Sequence, residues 1–330
     1  MSPLVVTGGA GFIGSHFIRL VLKTAPDVEI INFDALTYSG NLANVADVSE
    51  NPRYTFVRGD ITNPTAVRTV MQTYRPKAIV NFAAQNHVDR SILSAHDFIH
   101  SNIVGVQVLL EAVREFGLKR FLQVSTDEVY GTLAEGDPTF TEESLIEPNS
   151  PYSASKAAAD LIVRSYVKTH GTPAVITRCS NNYGPNQFPE AFIPLFITNA
   201  LEDIPCPLYG DGKYIRDWVH VRDHCHGIWL ALLQGRVGEI YNLGGANEWL
   251  NTDIANKLMD LCGKPRSLLM HVKDRPAHDR RYGINFSKAT RELGWKPETD
   301  FEQGLKDTVE WYRTNRNWWR VLKKATSAKA

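Results

Sequence analysis

Short apolar runs rich in β-branched residues alternate with longer stretches of helical period through the first half of the chain. The runs are LVVT from Leu4, EIINFD from Glu29, YTFVRGD from Tyr54, AIVNFAA from Ala78, RFLQVST from Arg120 and AVITRCS from Ala174. They are apolar almost throughout rather than alternating, as strands buried on both faces are, and that favours a parallel sheet covered by helices. Between them FIHSNIVGVQVLLEAVREFG predicts a helix that stops at Gly117. SPYSASKAAADLIVRSYVKTHG predicts another, with Ser150 as N-cap, Pro151 in the first turn and Gly171 as the stop. The rhythm is that of a doubly wound α/β sheet.

After Ser180 the rhythm breaks. Prolines and aromatics cluster in NNYGPNQFPEAFIP and IPCPLYGDGKYIRDW, irregular stretches of the kind that wall a binding site. One more strand, EIYNLGG at 239–245, is expected to rejoin the first sheet. Residues 1–180 then form the first domain, with 239–245 returning to it, and 181–330 form a smaller, interleaved α/β substrate domain. In TDFEQGLKDTVEWYRTNRNWW, Phe301, Leu305, Val309 and Tyr312 share one helical stripe, which reads as core, and a short polar tail follows Lys323.

Composition narrows the class of partner. Lys plus Arg and Asp plus Glu balance at 36 each with no long like-charge block, so neither nucleic acid nor a membrane surface is indicated and a small molecule is the default. Cys179, Cys206, Cys225 and Cys262 are scattered and form no C-x-x-C pair, which reads as reduced thiols in a cytoplasmic protein. His224 and His226 flank Cys225, but no second pair at ligand spacing accompanies them, so no metal is expected. No apolar run approaches about 18 residues, and no basic leader precedes the first strand, so the chain is expected to be soluble and unexported.

The chemistry begins in GGAGFIG. Gly8, Gly11 and Gly14 follow a strand and open a helix, where a glycine turn lets the backbone approach a pyrophosphate and the helix N-terminus attracts its charge. Asp34 ends the second strand 20 residues beyond Gly14, placed to accept the ribose hydroxyls of an adenosine. No arginine follows it to meet a 2′-phosphate, so NAD is favoured over NADP. Tyr152 and Lys156 lie four apart on one helical face. An ammonium there is expected to lower a phenol pKa from about 10 and make the tyrosine a base toward an alcohol. A third feature is VSTDEVYG, which crowds Thr126, Asp127 and Glu128 at the end of an apolar run. An ordinary turn needs only one of the two acids, so this is either a solvated strand end or a site built for moving protons.

With FAAQNHVDRSI, RCSNNYGPNQFPE, YGDGKYIRDWVHVRDH, EIYNLGGANE and DRPAHDRRYGI, these residues resemble the extended short-chain dehydrogenase/reductase family of nucleotide-sugar enzymes from Val5 to about Tyr312. Within it the resemblance is to the dTDP-glucose 4,6-dehydratases, because the epimerases of the family typically lack the acidic pair. The resemblance implies a Rossmann fold and an NAD-dependent hydro-lyase that forms dTDP-4-keto-6-deoxy-glucose. Tyr152, assisted by Lys156, would take the proton of the 4-hydroxyl while Thr126 bonds that oxygen. Glu128 would remove the C5 proton, and Asp127 would protonate the departing 6-hydroxyl.

The NAD positions so implied are Gly8, Gly11, Phe12, Ile13, Gly14, Asp34, Ala35, Leu36, Thr37, Asp60, Ile61, Phe82, Ala83, Ala84, Gln85, Ser101, Tyr152, Lys156 and Asn182. Those for the nucleotide sugar are Asn86, Thr126, Asn181, Glu190, Ala191, Phe192, Pro207, Leu208, Tyr209, Arg216, Asn251, Asp274, Arg275, Pro276, Ala277 and His278. Three positions depart from the family pattern: Gln85-Asn86 stands for Glu-Ser, Ala191 for a lysine and Ser101 for a threonine. Gln85 makes UDP-glucose an alternative substrate, and a UDP-sugar 4-epimerase is a further alternative. The resemblance also implies a homodimer built through a four-helix bundle from the helices near Gly105–Phe116 and Ala157–Tyr166.

Overall fold

The computed structural model describes residues 1–327. Its strands are β1 (Leu4–Thr7), β2 (Ile30–Asp34), β3 (Tyr54–Arg58), β4 (Ala78–Asn81), β5 (Arg120–Thr126), β6 (Ala174–Cys179), β7 (Asn181–Tyr183), β8 (Cys206–Tyr209), β9 (Ile215–His220), β10 (Ile240–Leu243), β11 (Glu248–Leu250) and β12 (Leu269–Val272). Seven form one parallel sheet in the order β10-β6-β5-β4-β1-β2-β3. All six apolar runs of the first half are in it. β1, β2, β4, β5 and β6 are buried throughout, whereas β3, at the edge, is only partly covered.

The period of two decides which layer each side chain joins. Leu4, Val6, Ile30 and Val80 face a core shared with helices Phe12–Thr24 and Val221–Gln234. Val5, Ile31 and Ile79 face the opposite core, built with helices Pro64–Tyr74, Gly105–Glu115 and Pro151–His170. The sheet draws more from the second half than β10. Helix Val221–Gln234, together with Ala289, Leu293 and Trp295, completes the first of these cores.

Helix Pro151–His170 has the predicted ends. Ser150 accepts from the Ser153 N–H, the Ser153 hydroxyl lies 3.0 Å from the Ser150 nitrogen, and Gly171 ends the helix in the left-handed region at φ 64°. The helix expected from Phe98 to Gly117 is instead three pieces. His96–Ile99 leads into a π-helical turn at His100–Val104 and then into Gly105–Glu115.

The smaller lobe holds a three-stranded sheet, β11-β9-β7, and a β8-β12 pair. Its core contains Phe301, Leu305, Val309 and Tyr312, as their stripe predicts. The terminal helix breaks after Thr314, and a second helix, Arg316–Ser327, takes up most of the stretch expected to be a polar tail. Residues 328–330 lie outside the described part. Among the described residues no helix is long and apolar enough to cross a membrane.

Candidate active site

Strand order reverses between β1 and β4, and in open parallel sheets the crevice at such a point binds ligands. The glycine loop sits there. Gly8 has φ +68°, and a Cβ on it would lie 2.6 Å from the Ala83 nitrogen, while one on Gly14 would lie 2.4 Å from the Gly8 carbonyl oxygen. These two glycines pack β1, the loop and the helix against one another. Gly11 differs, since the nearest atom a Cβ would meet there is 3.2 Å away. It is the N-cap of helix Phe12–Thr24 and supplies no side-chain cap, so the first-turn N–H groups are open to an anion. Asp34 is held by N–H donors from Ala10 at 2.9 Å and Leu36 at 2.7 Å. Burial raises its pKa, and those two bonds oppose the rise.

Every expected NAD position except Leu36 lines this one cleft. Leu36 stands outside the lining; its N–H orients Asp34 and its backbone is left-handed at φ 54°. An uncapped helix end, a fixed carboxylate beyond β2 and an apolar wall from Ile13, Ile61 and Phe82 fit a dinucleotide.

β5 delivers the acidic pair to the same cleft. The Thr126 hydroxyl accepts from the Glu128 N–H and donates to Asp127 Oδ1, each at 3.3 Å. Glu128 lines the cleft, whereas Asp127 lies just behind it at 2% exposure, its Oδ2 without a hydrogen-bond partner among the described residues. Their electrostatic surroundings differ. Burial, then Glu128 and Asp217, push Asp127 well above the usual carboxyl range. Burial raises Glu128 too, but the guanidiniums of Arg275 and Arg216 pull against it. Environments that differ in this way favour an acid in one place and a base in the other.

Tyr152 and Lys156 also line the cleft, from the first turns of the capped helix. The expected lowering of the phenol is not found. Burial, then Glu128, Cys179 and Asp127, hold Tyr152 well above its ordinary value, opposed by its hydrogen bond with Thr126. Lys156 gives its ammonium to the Val124 carbonyl at 2.7 Å, and burial lowers its pKa. In the free protein Tyr152 is therefore a neutral phenol.

The sugar-nucleotide positions divide. Asn86, Asn181, Glu190 and Ala191 line the cleft with Thr126, Glu128, Tyr152 and Lys156. Arg216 and Arg275 stand beyond its lining yet act on Glu128. Arg216 is buried against the Tyr282 ring at 4.3 Å and bonded to the Asp279 carbonyl, so it is no solvated surface charge. Arg275 bonds Asp89, as does the Tyr209 hydroxyl. Asp274 receives bonds from Tyr214 and His278, whose rings stack at 3.6 Å, and Pro276 and Ala277 form the exposed tip of that turn. Buried polar atoms of Asn181, Asn251 and Arg275 have no partner among the described residues, as expected of groups kept for a ligand. Pro207 is half-buried in β8. Two positions serve packing instead. Leu208 is in the small-lobe core, and Phe192 packs on Phe196 and Trp218.

Asn102, Tyr38 and Arg90 also belong to the site and carry no sequence signal of their own. Asn102, buried in the π turn, bonds both the N–H and the carbonyl of Gln85 and also the Ser155 hydroxyl. Tyr38 bonds Asn86 at 2.8 Å, and Arg90 lies over the Tyr38 ring while paired with Glu190. His87 lines the cleft, and His224 bonds Asn182 at 2.9 Å. No cluster of metal-ligating side chains occurs among the described residues.

The profile of the GDP-mannose 4,6 dehydratase family matches residues 5–308. The dTDP-glucose 4,6-dehydratase of Actinoplanes sp. is 49% identical over 96% of this chain and 99% of its own length. The chain belongs to the dTDP-glucose 4,6-dehydratase family. The Streptomyces niveus member is 48% identical over 98% of this chain and 97% of its own. Among solved structures, the dTDP-glucose 4,6-dehydratase of Streptomyces venezuelae with NAD bound superposes with a TM-score of 0.94 at 50% identity, covering 97% of this chain and 99% of that one. The UDP-glucose 4-epimerase of Thermotoga maritima reaches 0.88, but at 29% identity over 95% of this chain and 99% of that one. Overall shape thus barely separates dehydratase from epimerase. Sequence identity does.

Proposed function

We propose that this enzyme is an NAD-dependent hydro-lyase that converts dTDP-glucose to dTDP-4-keto-6-deoxy-glucose. The observation that carries the reading is the acidic pair at the end of β5, one carboxyl buried beside other acids and the other facing two guanidiniums, in a cleft shaped for a dinucleotide. Bound NAD supplies a hydride acceptor for C4 that returns the hydride at C6.

The residues divide the remaining work. Tyr152 takes the proton of the 4-hydroxyl, and Thr126 bonds the same oxygen. Because the free enzyme holds Tyr152 neutral, its base form depends on cations in the cleft, of which Lys156 is one. The 4-ketone acidifies C5, and Glu128 removes that proton. Asp127, kept protonated by its surroundings, gives its proton to the departing 6-hydroxyl. Arg216 and Arg275 suit the substrate diphosphate.

The test mixes purified protein, NAD and dTDP-glucose and follows product mass. A loss of one water is expected, with UDP-glucose giving a lower kcat/KM. A product of unchanged mass with inverted C4 would instead support an epimerase.

The same reading places the enzyme in the cytoplasm as a homodimer joined by a four-helix bundle of Gly105–Glu115 and Pro151–His170. Most apolar positions of Gly105–Glu115 are already used in the monomer core, but Leu161 on Pro151–His170, and Ile99 and Val104 on the segment that leads into Gly105–Glu115, remain exposed. Light scattering is expected to give twice the chain mass for the wild type and to show dissociation for Leu161→Glu. A wild-type monomer would end that proposal.

A further inference from the structure

Dehydration conserves protons overall, but not residue by residue. Tyr152 gains the proton of the 4-hydroxyl, and the ketone product never takes it back. Asp127 loses a proton to the departing water. Glu128 is the exception, since the proton it removes from C5 is replaced there before product leaves. Every turnover therefore ends with one proton too many on Tyr152 and one too few on Asp127.

These two groups meet at one atom. A threonine hydroxyl has one hydrogen to donate and two lone pairs to accept with. At Thr126 the Glu128 N–H occupies one lone pair and the hydroxyl hydrogen goes to Asp127 Oδ1, and Tyr152, which lines the same cleft, lies within reach of that hydroxyl's influence, which lowers the phenol's pKa. Other routes to Asp127 are poor. It is 2% exposed, Tyr152 is 9% exposed, and Asp127 Oδ2 has no partner among the described residues.

We infer that the Thr126 hydroxyl relays a proton from Tyr152 to Asp127 after each elimination and so resets both groups without exchange with solvent. The inference rests on the assignment of Tyr152 as base and Asp127 as acid. In the step, the phenol O–H breaks as a new H–Oγ1 bond forms, and the original Oγ1–H breaks as H–Oδ1 forms on the carboxylate. Thr126 ends unchanged, Tyr152 as phenolate and Asp127 as carboxylic acid. The 4-hydroxyl proton of one substrate thus rests on Thr126 during the next turnover and leaves in the water expelled from the substrate after that.

The relay separates the first turnover from those that follow. With NAD-loaded enzyme and dTDP-glucose in a rapid-quench experiment, Thr126→Val is expected to form about one product per site and then continue about 10²-fold more slowly, because a proton transfer has lost its carrier. Thr126→Ser, which keeps the hydroxyl, should show no such break. Thr126→Ala makes the same prediction as valine and guards against a valine that does not fit. If Val and Ala slow first and later turnovers equally, Thr126 only positions the 4-hydroxyl and the relay is overturned. A wild type that forms no dehydrated product at all overturns the relay and the dehydratase reading together.

Discussion

Glu128→Gln is expected to oxidise its substrate and then stop. In the proposed mechanism oxidation at C4 asks nothing of Glu128, because Tyr152 and Thr126 are assigned to the 4-hydroxyl. Glutamine keeps the shape of the side chain but cannot take the C5 proton. Absorbance of the reduced nicotinamide should rise to about one equivalent per site and persist, while product formation falls by about 10²–10⁴-fold, the usual range for removing a general base. The wild type should show only a transient signal, because the hydride returns to C6. The half-buried carboxylate also faces Arg216 and Arg275, so its neutralisation leaves two guanidiniums with less local compensation. Binding of an anionic nucleotide sugar should therefore be kept or strengthened. A variant that never reduces the cofactor would show that Glu128 acts in the first step instead.

Asp127→Asn should fail at the same stage for a different reason and, unlike Glu128→Gln, should change stability in a pH-dependent way. Asparagine cannot protonate the 6-hydroxyl, so a loss of about 10²–10⁴-fold in kcat is expected. In the wild type the acid works only while protonated, so kcat/KM should fall as pH rises through the raised Asp127 pKa.

The stability effect has the same cause. A carboxyl whose folded pKa lies above its unfolded value of about 4 favours the folded state most at low pH, and that advantage is lost as pH rises toward the folded pKa. Burial and the charges of Glu128 and Asp217 produce this shift. The Asn variant lacks it, so its Tm relative to wild type should climb as pH rises across that window. Activity lost with stability gained is the signature of a site strained for chemistry. A Tm difference that stays constant with pH would show that Asp127 is not held protonated by its surroundings.

The parts of the site readable from sequence were those carried by local spacing. Gly8, Gly11 and Gly14 share one loop, so their interval was enough to place them, and Asp34 follows at the end of the next strand. Ser150 and Gly171 marked both ends of the helix that carries Tyr152 and Lys156, and its period put those two on one face. The π turn at His100–Val104 left no such trace, because the pattern FIHSNIV is equally good for an unbroken helix. Asn102 was therefore missed, although it bonds Gln85 on both sides of its backbone.

Residue type and spacing by themselves determined a doubly wound parallel sheet, a dinucleotide loop and an acidic pair at a strand end, and the resemblance to nucleotide-sugar dehydratases named a candidate for each proton transfer. Only the tertiary structure decided the state of those candidates. Arg216 lies 88 residues from Glu128 along the chain and Arg275 lies 147 away, yet both act on it through space. Tyr152 is neutral despite Lys156 four residues on, because burial and two carboxyls from β5 outweigh the ammonium, which is turned to the Val124 carbonyl. Desolvation and charge act through space, and a linear pattern records neither. The chain order names the groups, and the packing of helix Pro151–His170 against the end of β5 sets which of them hold a proton.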